Sequence, residues 1–327
     1  MAYTTGSAIT AADYNSFYND VKDIYGDSNS NATSDSALIF GYGETMLGAT
    51  VSAGDTITAA HWSNLVKMIH RCADHQGTSI SLGGGHSTDV VSAGDVIAPI
   101  SNLASSITSI RTNKLNVSGG NLTTDTADSA TYSNAWGGGI VRTHTLTWGS
   151  YNDLRYYFNQ GGKIQHSFST ANSSGSAQDE EWADLITKTG TITFGINSIS
   201  RSGSISINTS AAGFTAINGS TSEQTVFKAF ADSSPYTGNF VEVTYTLNSA
   251  TTPSAITVKT KFTDAHAAQT GNFTGGGLGS APNEGQGWTG ADSVTIDITS
   301  TTSTVRANGT FINSAAPSAS GAAWTGS

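Results

Sequence analysis

Histidines and carboxylates are the residues of this chain that could bind a metal ion, and their best local arrangement lies around residue 70. His70 and Asp74 are four residues apart, as are Arg71 and His75, so each pair could share one face of a helix. A metal centre needs three or four converging ligands with supporting hydrogen bonds. Two candidates on one face are typical of a solvated pair, so we expect no metal. The seven histidines are His61, His70, His75, His86, His144, His166 and His266.

Acidic residues in the second half of the chain could act as the paired carboxylates of glycoside hydrolysis, which lie about 5–10 Å apart in a cleft. Their spacing selects no pair, and no nucleophile elbow is present. Asp125 and Asp128 do not match the alternating ligands of a calcium loop. We predict no enzymatic activity and no cofactor, with a polysaccharide depolymerase using Glu242 or Asp264 as an alternative. The remaining candidate acids are Asp179, Glu180, Glu181, Asp232, Glu284 and Asp292.

Aromatic side chains offer a third kind of site, a saccharide-binding surface. The run Tyr156–Phe158 follows Arg155, whose guanidinium can lie on an aromatic ring, and Gly161-Gly162 is expected to turn the chain between two strands. Packing in a core or interface is the favoured interpretation of these rings. A glycan-binding tip would instead expose Trp288 or Trp324.

Composition excludes several classes of protein. Only 12% of the 327 residues are charged, and a formal net charge of −10 without a Lys/Arg cluster argues against nucleic-acid binding. No run approaches the roughly 18 apolar residues of a membrane span, and no secretory signal pattern is present. We therefore expect a soluble chain made in a cytoplasm. The single cysteine, Cys72, falls on an apolar stripe and is predicted to be a buried thiol, with an intermolecular disulfide or reactive thiol as the alternative.

Two related helical units are predicted over residues 1–78. The word Ile-Thr-Ala-Ala begins at Ile9 and again at Ile57, and the apolar positions that follow coincide. Thr10 is a good N-cap and Gly26 ends the first helix, while the second begins at Thr58 and ends before Gly77. The matched faces are expected to pack on each other or on a partner. The paired positions are Tyr14 with Trp62, Phe17 with Leu65, Tyr18 with Val66, Val21 with Ile69, Ile24 with Cys72 and Tyr25 with Ala73.

A third helix is predicted within residues 79–139, followed by a Gly-rich connector. Its apolar stripe is narrow and needs a partner, which could be the first two helices or a copy of itself in an oligomeric coil. We take the apolar stripes as a hypothetical interface because they are large for so small a module. The interface candidates are Tyr14, Phe17, Trp62, Leu65, Ile100, Leu103, Ile107 and Ile110.

Strand signals dominate residues 140–327. Short alternating segments separated by Gly, Asn and Ser favour an antiparallel β-sandwich of jelly-roll type, with one helix at Ala177–Thr187. The predicted fold class is therefore α+β and multidomain. The predicted strands are Val141–Trp148, Thr191–Ile196, Ser204–Ile207, Phe240–Leu247, Ile256–Phe262, Val294–Ile298 and Val305–Ile312.

Two ordered signatures of this chain resemble the virion structural proteins of contractile-tailed marine phages, the cyanophages in particular. The first comprises Ile9-Thr-Ala-Ala-Asp-Tyr-Asn, Gly41-Tyr-Gly, Asp55-Thr-Ile-Thr-Ala-Ala-His-Trp and His75-Gln-Gly. The second comprises Leu154-Arg-Tyr-Tyr-Phe-Asn-Gln-Gly-Gly, Glu181-Trp-Ala-Asp-Leu-Ile and Gly190-Thr-Ile-Thr-Phe-Gly. The resemblance implies a structural role on the virion and brings no catalytic residues with it.

We accordingly predict a non-enzymatic virion protein that contacts other virion proteins and forms a homo-oligomer, with a trimer favoured. Its helical end is expected to dock on the particle. Binding of a host surface glycan is the alternative.

Overall fold

The computed structural model of the chain describes residues 9–27, 41–82, 100–265, 270–272, 287–289 and 293–326. They fold into two compact units that alternate along the sequence. The first unit comprises Met1–Asp125, Trp148–Lys163 and Thr304–Ala316, and the second comprises Thr126–Thr147, Ile164–Ser303 and Pro317–Ser327. The predicted divisions after residues 78 and 139 cut the chain into consecutive blocks, whereas each unit collects segments that are distant in sequence.

Four helices belong to the first unit, and the first two have the same N-terminal cap. They are α1 (Ala11–Tyr25), α2 (Ala59–Gln76), α3 (Ile100–Thr112) and α4 (Tyr151–Asn159). At α1 the amide of Thr10 donates to the Asp13 carboxylate over 2.9 Å, and at α2 the amide of Thr58 donates to His61 Nδ1 over 3.0 Å. The threonine hydroxyl returns a bond to the third helical amide in both cases, which makes two capping boxes. The predicted starts and ends of α1 and α2 are confirmed.

The apolar stripes of α1, α2 and α3 pack on one another in a single core. Tyr14, Leu65, Leu103 and Ile110 are fully buried, Trp62 and Ile107 nearly so, and Phe17 packs partly buried against them. This arrangement corrects the expectation that these stripes are too large for the module to bury and remain for a partner. Ile100 is the first residue of α3, and its side chain lies outside the described part of the structure.

The aromatic run at Tyr156–Phe158 lies on helix α4, which the sequence analysis did not predict. Ser150 caps this helix by accepting a hydrogen bond from the Asp153 amide over 3.1 Å. The expectation that Gly161-Gly162 joins two strands is therefore wrong, because the pair connects α4 to a strand. Gly161 has a φ of +85°, a value that glycine tolerates readily.

Strands and two further helices form the remainder of the described fold, which is mixed α+β. The helices are α5 (Ala177–Thr189) and α6 (Phe214–Ile217). The strands are β1 (Leu122–Tyr132), β2 (Gly139–Thr147), β3 (Lys163–Ala171), β4 (Ile192–Phe194), β5 (Ile199–Arg201), β6 (Ile207–Asn208), β7 (Gln224–Phe230), β8 (Phe240–Leu247), β9 (Ala255–Thr263), β10 (Thr270–Asn272), β11 (Gly287–Thr289), β12 (Asp297–Ala307) and β13 (Ser318–Gly326). Within the described residues, no helix has the length and apolar content to cross a bilayer.

Two large antiparallel sheets contain nearly all of these strands. One has five strands in the order β1-β12-β3-β4-β5, the other has six in the order β13-β2-β9-β8-β7-β6, and β10 pairs with β11. Side chains of the two sheets meet within the second unit. Phe168 and Phe262 make an edge contact at 5.3 Å between ring centroids, and Phe194 contacts Tyr245 at 4.7 Å. These rings form part of the core between the sheets.

Several strands agree with the prediction, but β7 and β13 were not predicted and β12 differs in extent. The prediction for β8 agrees with the structure at both ends, and β2, β9 and α5 agree within two residues. Strand β12 is one continuous element instead of two, because Ser300, Thr302 and Thr304 occupy its buried positions. The Thr-rich strand β1 lies where a connector was expected. Threonine favours strands through its β-branched side chain, yet a hydropathy pattern records it as polar.

Candidate binding pocket

A cavity of about 360 Å³ lies within the first unit and brings together three segments of the chain. Helix α4 and its preceding turn form one wall, and the loop after α1 and the segment after β12 form the others. The lining combines aromatic rings, carboxylates, amides and a hydroxyl, a mixture suited to orienting a small polar ligand. The lining residues are Tyr42, Gly43, Glu44, Trp148, Gly149, Asp153, Tyr156, Gln160, Asn313, Ser314, Ala315 and Ala316.

The loop after α1 is fixed by backbone bonds to the end of that helix. The Tyr42 amide donates to the Ile24 carbonyl over 2.9 Å, and the Gly43 amide donates to the Gly26 carbonyl over 2.9 Å. These bonds satisfy acceptors that every helix end leaves open. Gly43 has a φ of +81°, and a Cβ at this position would overlap the ring of Tyr156. Glycine is required here for both reasons.

Tyr42 and Gln160 connect this loop to helices α2 and α4. The Tyr42 hydroxyl donates to the Lys114 carbonyl and accepts from Gln76 Nε2, each over 2.7 Å. Gln160 Nε2 donates to the Tyr42 carbonyl over 2.6 Å. The Gln160 side-chain oxygen has no hydrogen-bond partner among the described residues, although Gln160 is only 4% exposed. This oxygen is a buried acceptor next to the cavity and is closed to solvent.

Trp148 and Tyr156 supply the aromatic part of the lining. Trp148 is 4% exposed and packs against Tyr157 at 5.3 Å between ring centroids. Its indole N–H finds no acceptor within the described part of the chain. Tyr156 is held by Arg155, whose guanidinium lies 4.8 Å from the ring centroid and donates to the Tyr156 hydroxyl over 3.0 Å. The predicted stacking of Arg155 on an aromatic ring is confirmed.

Two carboxylates and a hydroxyl complete the cavity. Burial raises the pKa of the Glu44 carboxyl, although a backbone hydrogen bond from Asn313 and the positive charge of Arg71 oppose the rise. Asp153 accepts a hydrogen bond from the Ser150 hydroxyl over 2.9 Å. Ser314 Oγ is buried and without a hydrogen-bond partner among the residues that the structure covers. The cavity therefore offers carboxylate acceptors beside an aromatic ring.

Two of the three histidines of α2, His61 and His75, have structural roles, and none of the three belongs to the cluster of possible metal ligands among the described residues. His61 belongs to the cap of α2. His75, expected on a solvated face, is 2% exposed, and its Nε2 donates to the Gln160 carbonyl over 3.2 Å. Burial lowers the pKa of His75 to about 4, so the ring is neutral at pH 7. His86 and His266 lie outside the described residues.

His144 and His166 are buried in the second unit. His166 lies 3.0 Å from the Thr302 hydroxyl through Nδ1 and 2.6 Å from the Tyr245 hydroxyl through Nε2. Burial lowers its pKa to about 3, and burial also lowers the pKa of His144 to about 4. A neutral His144 does not pair ionically with Asp128, so the ion pair here is the one between Asp128 and Arg142, at 2.7 Å.

The acids proposed for hydrolysis take part in separate structural contacts. Glu242 accepts from the Thr225 hydroxyl over 3.0 Å, and Asp264 accepts from Gln178 Nε2 over 2.5 Å. Asp179 is fully buried and accepts from both the amide and the hydroxyl of Thr295. Burial alone would raise its pKa, but hydrogen bonds from Ser174 and Thr295 outweigh burial and lower it. Glu284 and Asp292 lie outside the described residues.

The tryptophans proposed for a glycan-binding tip do not form a described site. Trp324 packs against Tyr132 and Phe262, with ring centroids 5.8 and 6.0 Å apart. The side chain of Trp288 lies outside what the structure describes. The cavity around Trp148 and Tyr156 is the better candidate, and sequence reasoning identified only Tyr156 as a possible saccharide contact. The three segments that line this cavity are far apart in the sequence, so no local sequence pattern could have predicted it.

No known protein family, characterised protein or solved structure matches this chain.

Proposed function

We propose that this protein is a non-enzymatic structural component of a phage virion. It is made in the host cytoplasm, contacts other virion proteins at one end, and forms an oligomeric appendage or decoration such as a fibre, neck or tail component. A homotrimer is the favoured assembly. The apolar stripes of α1, α2 and α3 are buried in the core of the first unit, so they do not identify residues of the docking surface.

This proposal is based on the structural roles of residues in the two sequence signatures. Thr58 and His61 cap a helix, and Gly41 and Gly43 belong to the loop that closes the end of α1. In the second signature, the Asn159 side-chain amide donates to the Gly41 carbonyl over 3.2 Å. Residues of both signatures therefore help to build the framework of the first unit, as expected of a protein that acts through its shape, while the rest of the second signature, from Glu181 onward, belongs to the second unit.

The finer fold that accompanies this function is a jelly-roll type of β-sandwich. The aromatic contacts between the two antiparallel sheets support it. The hydroxylated strand β1, which has no buried position, is compatible with the stable, weakly charged surface of a particle protein.

Immunogold electron microscopy with an antibody raised against the purified chain tests the virion assignment. Label at one defined position on salt-washed particles is expected. Particles without label and without peptides of this chain by mass spectrometry would refute the proposal.

Light scattering during size-exclusion chromatography tests the assembly, with an expected mass three times the 33.6 kDa of one chain.

Glycan binding is the second candidate function, and the cavity favours it. Tyr156 offers an aromatic surface, and the carboxylates of Glu44 and Asp153 offer hydrogen-bond acceptors. These are the groups with which proteins bind sugar hydroxyls and the apolar faces of sugar rings. A depolymerase is less well supported, because Glu242 and Asp264 each serve a structural contact.

Titration of the purified chain against oligosaccharides of the host surface tests this second function. Tyr156→Ala should abolish binding, whereas Tyr151→Ala should retain it, because Tyr151 lies on the same helix but not in the cavity lining. Equal binding by both variants would rule out the cavity as the glycan site.

A further inference from the structure

Three carboxylates from distant parts of the sequence converge at the surface of the second unit. Glu181 and Asp184 lie three residues apart on α5, a spacing that puts them on one face of the helix. Asp232 follows strand β7. One carboxylate oxygen from each residue lies within 4.8 Å of those of the other two. Three negative charges this close repel one another unless a cation lies among them.

Glu181 is the member of this cluster whose environment requires explanation. The residue is 8% exposed, and its Oε1 has no hydrogen-bond partner among the described residues. A buried carboxylate oxygen without a donor is energetically unfavourable. Asp184 and Asp232 are hydrogen-bond acceptors as well, so they cannot donate to this oxygen. A bound cation would stabilise the Glu181 carboxylate.

Lys188 supplies one positive charge to the cluster but does not complete it. Its Nζ lies 2.6 Å from Asp184 Oδ2 and 2.9 Å from Asp232 Oδ1. No hydrogen bond joins Lys188 to Glu181 in the described part of the structure. One ammonium opposes three carboxylates, and the excess negative charge is two. The flexible stem of Lys188 is about one-third exposed, so the ammonium can move away when another cation arrives.

We propose that Glu181, Asp184 and Asp232 form a divalent-cation site suited to Ca²⁺. All three ligands are hard carboxylate oxygens, which Ca²⁺ prefers and which do not select Zn²⁺. The three oxygens lie close enough to share one such ion, because two oxygens on opposite sides of Ca²⁺ are about 4.6–5.2 Å apart.

Room for the remaining ligands lies beside the cluster. A surface cavity of about 390 Å³ is lined by Lys188 and Asp232 together with Ser206 and Asn208. Ca²⁺ takes six to eight oxygens, so water from this cavity would complete the three carboxylates. The bound ion would join α5 to the segment after β7 and replace the ammonium of Lys188 in that position.

Calorimetric titration of the EDTA-treated full-length chain with CaCl₂ tests the site. The natural chain should bind one Ca²⁺ and unfold at a higher temperature when it is bound. Glu181→Gln and Asp232→Asn should each abolish binding. Glu180→Gln is the matched control, because it removes the same charge from the neighbouring exposed position on α5 and should retain binding.

Lys188→Met distinguishes a cation site from a purely structural ion-pair cluster. If Lys188 competes with the ion, this variant should bind Ca²⁺ about tenfold more tightly and gain more thermal stability from it. Absence of Ca²⁺ binding by both the natural chain and Lys188→Met would overturn the proposal. Equal weakening by Glu180→Gln and Glu181→Gln would also overturn it, because that result would indicate diffuse attraction to an acidic surface. Asp232→Asn, at an exposed position, provides the test if Glu181→Gln fails to fold.

Discussion

Tyr14 and Trp62 occupy equivalent positions in the two sequence repeats, and their rings contact each other. The ring centroids are 5.8 Å apart with an interplanar angle of 79°, an edge-to-face arrangement. Tyr14 also reaches the second helix through its hydroxyl, which lies 3.4 Å from the His61 carbonyl. The duplicated apolar stripes therefore pack on each other, and the contact between them belongs to the core of the first unit.

Trp62→Ala should remove about 3–5 kcal/mol from the free energy of unfolding of the first unit, because it leaves a large cavity beneath α1. Urea denaturation followed by circular dichroism measures the change. Ser16→Ala, at an exposed position of α1, is the control and should change stability by less than about 0.5 kcal/mol. Similar stability of the two variants would contradict the core assignment of Trp62.

Thr58→Ala should destabilise the first unit by about 1 kcal/mol, because the amide of His61 loses the hydroxyl that accepts its hydrogen bond. Thermal unfolding measures this loss. Thr56→Ala removes an exposed threonine two residues earlier, outside the cap, and should have little effect. If Thr56→Ala were as destabilising as Thr58→Ala, the capping box would not be the cause.

His166 should make the second unit less stable in acid. Its pKa is lowered from 6.5 to about 3, mainly by burial. Below pH 6.5 the unfolded chain therefore binds a proton at His166, whereas the folded chain does not. Stability is therefore complete above pH 6.5 and is lost as the pH falls towards 3, by about 1.4 kcal/mol per pH unit for this one group.

His166→Gln tests this dependence. The variant should be less stable at pH 7, because it cannot reproduce both contacts to Thr302 and Tyr245, but its stability should fall less steeply between pH 6 and pH 4. Gln165→Ala on the same strand removes a side chain that does not titrate, so its slope should equal that of the natural chain. An unchanged slope in His166→Gln would show that His166 is not the responsible group.

Cys72 should be inert towards thiol reagents in the folded chain. The residue is fully buried on α2, and burial raises the pKa of its thiol far above the usual range, so almost no thiolate forms at pH 8. The predicted buried thiol is confirmed, and a colorimetric thiol assay should detect it only after denaturation. A cysteine introduced by Ser16→Cys at an exposed position should react at once under the same conditions. Rapid reaction of Cys72 in the folded chain would contradict its burial.

Local patterns in the sequence determined the elements that depend on neighbouring residues. Thr10, Thr58, Gly26 and Gly77 set the ends of α1 and α2, since caps act within one helical turn. Strand β8 was predicted because its apolar side chains alternate with polar ones. The same reasoning failed at β12, where threonine and serine fill the buried positions, and at α4, whose Ser150 cap was not recognised.

Tertiary structure alone decided which distant residues meet. Glu44, Trp148 and Ser314 line one cavity although more than 100 residues separate each from the next, and Asp232 lies beside Glu181 only because of how β7 and α5 are arranged. Side-chain periodicity records which face of an element is buried but not which element covers that face. The sequence therefore determined α1, α2, α3, α5 and several strands, whereas the packing of those elements created both candidate binding sites.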